Sequence, residues 1–200
     1  MAQQIESVVT PERFAQGLSY ERWLEGIQRN QKRFQENYDE FQLSDDDASA
    51  FRALVGEANG PVKCLALGED WCPDVFRGLP VMAHIAGASG MELRVFSRDQ
   101  HKDIMAEFLK HGESESIPTF VFYTSDHRYI AHWIERPAIA NEQMPELDKL
   151  TAPLRDPDLS QEERQQLIQA YQDFQHGPVW AGWRDATVRE LRELLEQHSG

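Results

Sequence analysis

Glu69-Asp70-Trp71-Cys72-Pro73-Asp74-Val75 is the stretch whose reading decides the fold. It follows the apolar run Val62-Lys63-Cys64-Leu65-Ala66-Leu67-Gly68 and opens a helical pattern marked by Val75, Phe76, Leu79, Val81, Met82 and Ile85. The run is apolar on both parities apart from Lys63, as suits a central strand covered on both faces. A cysteine at a strand-to-helix turn meets the free N–H groups and the positive dipole end of the helix, which favour a thiolate. Glu69, Asp70 and Asp74 work the other way, because like charge nearby raises a thiol pKa. No Lys, Arg or His lies between residues 64 and 76 to offset them.

Forty-six residues after Cys72 comes Ser116-Ile117-Pro118-Thr119-Phe120, a proline entering an apolar strand that runs to Thr124. Pro80 falls eight residues after Cys72 and, lacking an N–H, predicts a kink in the helix that starts at Pro73. On these residues the chain resembles the thioredoxin superfamily: tryptophan, cysteine, two residues, helix, then an Ile-Pro-Thr strand at this distance. It departs from that family at one position. The usual Cys-x-x-Cys needs a second cysteine at 75, where this chain has Val75.

The remaining elements follow from pattern. Met91 to Ser97 alternates as a strand, a helix is expected from about Gln100 to Lys110, and Tyr129 to Ile134 is the hairpin partner of the strand from Pro118. A helix from about Pro137 to Leu150 closes the core. The order gives an α/β fold, a thioredoxin-like mixed sheet flanked by helices, with extra N- and C-terminal helices. The expected division is 1–58 as an N-terminal helical extension, 59–151 as the thioredoxin-like core and 152–200 as a C-terminal helical extension, packed together.

In the N-terminal part, Thr10-Pro11-Glu12 and Ser19-Tyr20-Glu21 are helix starts. Trp23, Leu24, Ile27, Phe34, Tyr38 and Phe41 predict one long amphipathic helix, packed on the core or serving as a dimer helix or lid. Ser44 followed by Asp45-Asp46-Asp47 reads as a cap with acids in the first turn rather than a metal cluster, since the spacing of a calcium loop is missing. In the C-terminal part, Thr151 to Asp158 is a connector and Ser160 caps a helix that Gly177-Pro178 ends. Trp180 and Trp183 then read as an aromatic link before a last helix, Ala186 to Gln197.

Composition narrows the function. The net charge of −14 disfavours nucleic acid and anionic membranes as partners. Residues 1–10 carry no basic start or apolar h-region, so the expected location is the cytoplasm. The two cysteines, Cys64 and Cys72, are too few for a disulfide framework. Cys64, inside the strand, reads as a small buried hydrophobe. The seven histidines show no paired ligand spacing with cysteine, so no metal site is expected.

The resemblance implies the rest. Cys72 would be the nucleophile of thiol–disulfide exchange. Ile117, Pro118 and Thr119 would hold the substrate, with Pro118 cis and the backbone before it pairing with a short substrate strand, and Trp71 would shield one side of the sulfur. Pro73, Asp74 and Arg136 are candidate modulators. Asp74 could move a proton at Cys72 or simply charge-match the helix start, and Arg136 could meet a substrate carboxylate. With Val75 in place of cysteine the expected activity is that of a monothiol oxidoreductase. It would act on protein or small-thiol disulfides, with no tightly bound cofactor and with glutathione or another low-molecular-weight thiol as resolving partner. The alternative is a non-redox module that binds protein or peptide in the same groove.

Overall fold

The computed structural model describes residues 7–198. Residues 1–6, part of the stretch read above as carrying no secretory signal, lie outside them. Four strands form one sheet: β1 (Lys63–Gly68), β2 (Glu92–Ser97), β3 (Thr119–Tyr123) and β4 (Tyr129–Ile134), in the order β2-β1-β3-β4. β1 runs parallel to β2 and antiparallel to β3, and β3 runs antiparallel to β4. The central pair is where the apolar runs fall. Every residue of β1 from Cys64 and every residue of β3 is buried. The outer edge of β2 is covered by a bridge in which Leu18 and Val95 exchange both backbone hydrogen bonds, at 3.0 and 2.8 Å. Covering an edge in this way is one means of blunting it against pairing with another chain.

The helices, in chain order, are α1 (Pro11–Phe14), α2 (Tyr20–Gly26), α3 (Gln31–Glu40), α4 (Asp45–Val55), α5 (Pro73–Ser89), α6 (Lys102–Met105), α7 (Ala138–Thr151), α8 (Gln161–Gln175) and α9 (Pro178–His198). The described residues up to Glu135, with those from Leu191 onward, form one compact unit, and Arg136–Glu190 form a second. The first holds the sheet and the helices before α7. Its α3 and α4 pack along α5, α3 through Phe34 on Phe76 (6.0 Å between ring centroids) and Tyr38 stacked on His84 at 4.1 Å. The second is built on Trp180 and Trp183, each 1% exposed, with Phe174 against both. Among the described residues, no helix is long and apolar enough to cross a membrane.

Three details differ from the pattern-based expectation. The single amphipathic helix from Trp23 to Phe41 is two, α2 and α3, because Ile27 leaves the helix in an extended conformation and Asn30 enters the next one left-handed (φ 55°). The amides of Gln28 and Arg29, freed by that break, donate to the Asp70 carboxylate at 3.0 and 2.9 Å. The helix expected over 100–110 shrinks to the four residues of α6. Lys110 instead exchanges backbone hydrogen bonds with Ser114 across His111 and Gly112, both at positive φ. Gly177-Pro178 ends one helix, but Pro178 also begins the next. Proline's missing N–H costs nothing in a first turn, so α9 takes in Trp180 and Trp183 and is no short link.

Candidate active site

Cys72 is the N-cap of α5, with Pro73 at the first helical position. Pro73 has no N–H to offer, and the amides whose dipoles favour the thiolate are those of Val75 and Asp74, though neither makes a capping hydrogen bond to the thiol. The thiol donates to the Ile117 carbonyl at 3.7 Å. The Ile117–Pro118 bond is cis. Pro118's carbonyl accepts from Glu135 N–H at 2.7 Å, and the Thr119 hydroxyl donates to Ser116 O at 2.8 Å. Cys72, Ile117, Pro118 and Thr119 therefore meet at one end of the sheet. Trp71 stands beside them with 43% of its surface exposed.

Helix α5 reaches this spot by close approach. A methyl group added at Gly68 would meet Val75 Cγ1 at 2.8 Å, and one added at Gly78 would meet Pro118 Cγ at 3.2 Å. Gly68→Ala is expected to destabilise the fold by about 1–3 kcal/mol, the usual cost of overpacking a well-filled core. Adding Val75→Ala to that variant should recover part of the loss. Urea unfolding of the two variants checks this, and a Gly68→Ala protein as stable as the parent would contradict it.

The charge balance at Cys72 differs from the one read in the sequence. Of the three acids, only Asp74 acts on the thiol. Glu69 accepts from Ser97 Oγ and from Asp99 N–H, each at 2.7 Å, and Asp70 is held by Gln28 and Arg29. A cation does offset Asp74. It is Arg77, fully buried, whose Nη1 donates to Asp74 Oδ1 at 2.6 Å. It lies one residue beyond the cation-free span 64–76, and Asp74 and Arg77 stand at the i,i+3 spacing that brings two helical side chains together. Burial is the largest influence on the thiol and raises its pKa. Asp74 raises it further, while the amides of Val75 and Asp74, and then Arg77, lower it. The net shift is upward.

Arg98 was also missed. Its guanidinium lies 5.2 Å from the Trp71 ring centroid, and its Nη1 donates to the Glu115 carbonyl at 3.1 Å. It thus links Trp71 to the loop that leads into Pro118. No local pattern marks it, since its partners are 27 and 17 residues away in sequence. Cys64 is fully buried between Leu93 and Phe122, and burial raises its thiol pKa. Arg136 is the first residue of the second unit, outside the unit that holds Cys72.

A family model described as thioredoxin matches residues 17–151. Among solved structures, the chain is similar to a protein of unknown function from Pseudomonas aeruginosa, with 14% identity and a TM-score of 0.66, over 94% of this chain and 98% of that one. It is also similar to an HIV epitope-scaffold, with 17% identity and a TM-score of 0.64, over 96% of this chain and 99% of that one. At these identities the likeness is one of fold. No curated protein matches.

Proposed function

The chain belongs to the thioredoxin family, and on that premise we propose that it is a monothiol thiol–disulfide oxidoreductase acting through Cys72. The observation that carries this reading is the Cys72 thiol, at the N-cap of α5, donating to the Ile117 carbonyl directly before cis Pro118. In the forward step the Cys72 thiolate attacks one sulfur of a mixed disulfide. A Cys72–S–S–R bond forms, the original S–S bond breaks, and the departing thiolate takes up a proton. Val75 cannot resolve that adduct. A small thiol, glutathione or a relative, attacks it instead, returning Cys72 as a thiolate and leaving as the new disulfide. Trp71 flanks the sulfur, Ile117, Pro118 and Thr119 hold the substrate backbone, and Asp74 sets the charge at the thiol. A reducing compartment, the cytoplasm on this reading, supplies the small thiol.

The upward shift of the thiol pKa has a kinetic consequence. Thiolate is scarcer at pH 7 than in a free cysteine, so the rate should keep climbing beyond about pH 8.5, where an ordinary thiol levels off. The linkage sign agrees. Cys72 holds its proton more tightly folded than unfolded, so its contribution to stability is present below the unfolded pKa and is lost as pH rises through the folded one. The same protonated thiol, with Val75 beside it, favours a second reading: the groove along Trp71 and Pro118 binds an extended peptide without chemistry.

Incubation with a glutathionylated peptide, followed by mass spectrometry from pH 7 to 9.5, separates the two. Under the redox reading a Cys72 mixed disulfide forms, its rate rises across the range, Cys72→Ser abolishes it and Cys64→Ser leaves it intact. If no adduct forms at any pH and Cys72→Ser still binds the peptide, the binding reading replaces it.

A further inference from the structure

At the end of the sheet away from Cys72, where Tyr123 pairs with Lys63, a cavity of about 310 Å³ opens among Glu107, Phe108, Tyr123, His127, Tyr129 and His132. Its walls are rings. Tyr123 and His127 stack face to face at 4.5 Å, and Phe108 lies 6.4 Å from Tyr129 and 5.5 Å from His132. Tyr129 Oη and His132 Nδ1 are 2.6 Å apart. Ser7 and Val9 complete the lining, and that segment is tied down at Glu107, which accepts from Ser7 Oγ at 2.7 Å and Val8 N–H at 2.5 Å.

Two polar atoms of this lining are left over. Tyr123 is 2% exposed, and among the described residues its buried hydroxyl has no hydrogen-bond partner. The same holds for His127 Nδ1. The other nitrogen of that ring, Nε2, lies 2.9 Å from the Val9 carbonyl. A carbonyl only accepts, so the proton belongs on Nε2 and Nδ1 is a bare acceptor. Burial holds His127 below the usual imidazole range, against the Val9 hydrogen bond, which raises it, with Lys63 lowering it and Glu12 raising it more weakly; burial does the same for His132. Both rings are therefore neutral near pH 7. Lys63 itself is not in the lining and donates to Ser125 O at 2.9 Å.

The cavity thus presents aromatic faces, bare acceptors and one carboxylate, with no cation in its lining. Such a surface selects positive charge carried on an apolar body. A buried polar atom without a partner is costly, and a ligand bearing N–H donors would supply one. Among the described residues no group of His, Cys, Asp and Glu is arranged to hold a metal ion. We infer that this cavity binds a small organic ammonium ion, its N–H groups directed to the Glu107 carboxylate and to His127 and Tyr123, its alkyl part against Phe108 and Tyr129.

The test is an NMR titration of the full chain with butylammonium chloride at constant ionic strength, observing the ring signals of His127, His132, Tyr123 and Tyr129. Saturable shifts at these rings are expected, with none from sodium chloride alone and none from 1-butanol. Glu107→Gln should weaken the apparent affinity by roughly tenfold, the size of a charged hydrogen bond. Because Glu107 also anchors the Ser7–Val8 segment, Tyr129→Leu serves as a second variant. Tyr129 is 53% exposed, so its loss leaves the fold in place while removing an aromatic wall, and weaker binding is expected again. The inference is overturned by a lack of saturation in the parent chain, by 1-butanol binding equally well, or by unchanged affinity in both variants.

Discussion

Asp74→Asn is expected to speed the alkylation of Cys72 at pH 7 while making the protein much less stable. Asp74 does two things at once. Its charge opposes ionisation of Cys72, and its Oδ1 holds Arg77 Nη1 at 2.6 Å with both side chains largely out of water, 13% and 1% exposed. Asparagine keeps the size and an acceptor oxygen but not the charge. Arg77 then acts on the sulfur without Asp74 opposing it, so the thiolate becomes more accessible, and iodoacetamide should react about threefold faster or more at neutral pH. The fold loses one charge of a buried pair, a change that typically costs about 3 kcal/mol or more. Arg77→Met should slow alkylation instead and destabilise as well. The double variant should be less destabilised than the two single losses added, since the partners are in contact. Alkylation rates in a Cys64→Ser background and urea unfolding read both effects. A slower Asp74→Asn thiol would refute this account of the site's electrostatics.

What could be read from the sequence was what is local. Strand, turn and helix around Cys72 lie within some thirty residues, and each carries its own periodicity or cap. Ile117-Pro118-Thr119 announces itself by a proline at the mouth of an apolar run. Arg77 aside, the differences around the site come from partners far apart in the chain. Asp70 looked like a third acid bearing on the thiol, but its charge is taken up by amides 41 and 42 residues earlier. The same contact explains the misread helix: an apolar stripe continues from Trp23 to Phe41, yet the backbone turns outward at Ile27 to serve Asp70. Helical periodicity reports which side chains are buried and not where the backbone's own donors go. Trp180 and Trp183 show the opposite error. A Gly-Pro pair was read as a stop, whereas proline's fixed φ suits a first turn as well as it breaks a middle one. The cavity around Tyr123 left no trace at all. Its residues are scattered positions on the N-terminal segment, the stretch after α6, β3, the turn after it and the edge strand β4, and only the fold brings them together.

Val75→Cys is expected to convert Cys72 from a single thiol into half of a reversible disulfide. Val75 N–H donates to the Cys72 carbonyl at 3.1 Å, closing the first turn of α5. A turn closed this way keeps its end Cα atoms within about 7 Å, and disulfides span about 4.4–6.8 Å. Val75 is fully buried and in contact range of the space above Gly68, so the smaller cysteine enters without overpacking. Cutting a buried valine to cysteine removes one methyl group's worth of packing, and a loss of about 1 kcal/mol is expected in the reduced form. After mild oxidation, Cys72 in the Cys64→Ser, Val75→Cys protein should resist alkylation until dithiothreitol is added, and the mass should fall by two hydrogens. Reduced again and freed of dithiothreitol, the variant should reduce one equivalent of insulin disulfide as its own dithiol is oxidised, with no small thiol in the resolving step, which the parent chain should not do. On the proposed reading Cys72 is the nucleophile and Val75 stands where a resolving cysteine would, so restoring that partner asks whether the rest of the site is competent. If the disulfide forms and no reduction follows, the groove beside Trp71 and Pro118 does not present a substrate to Cys72, and the redox assignment falls while the fold assignment stands.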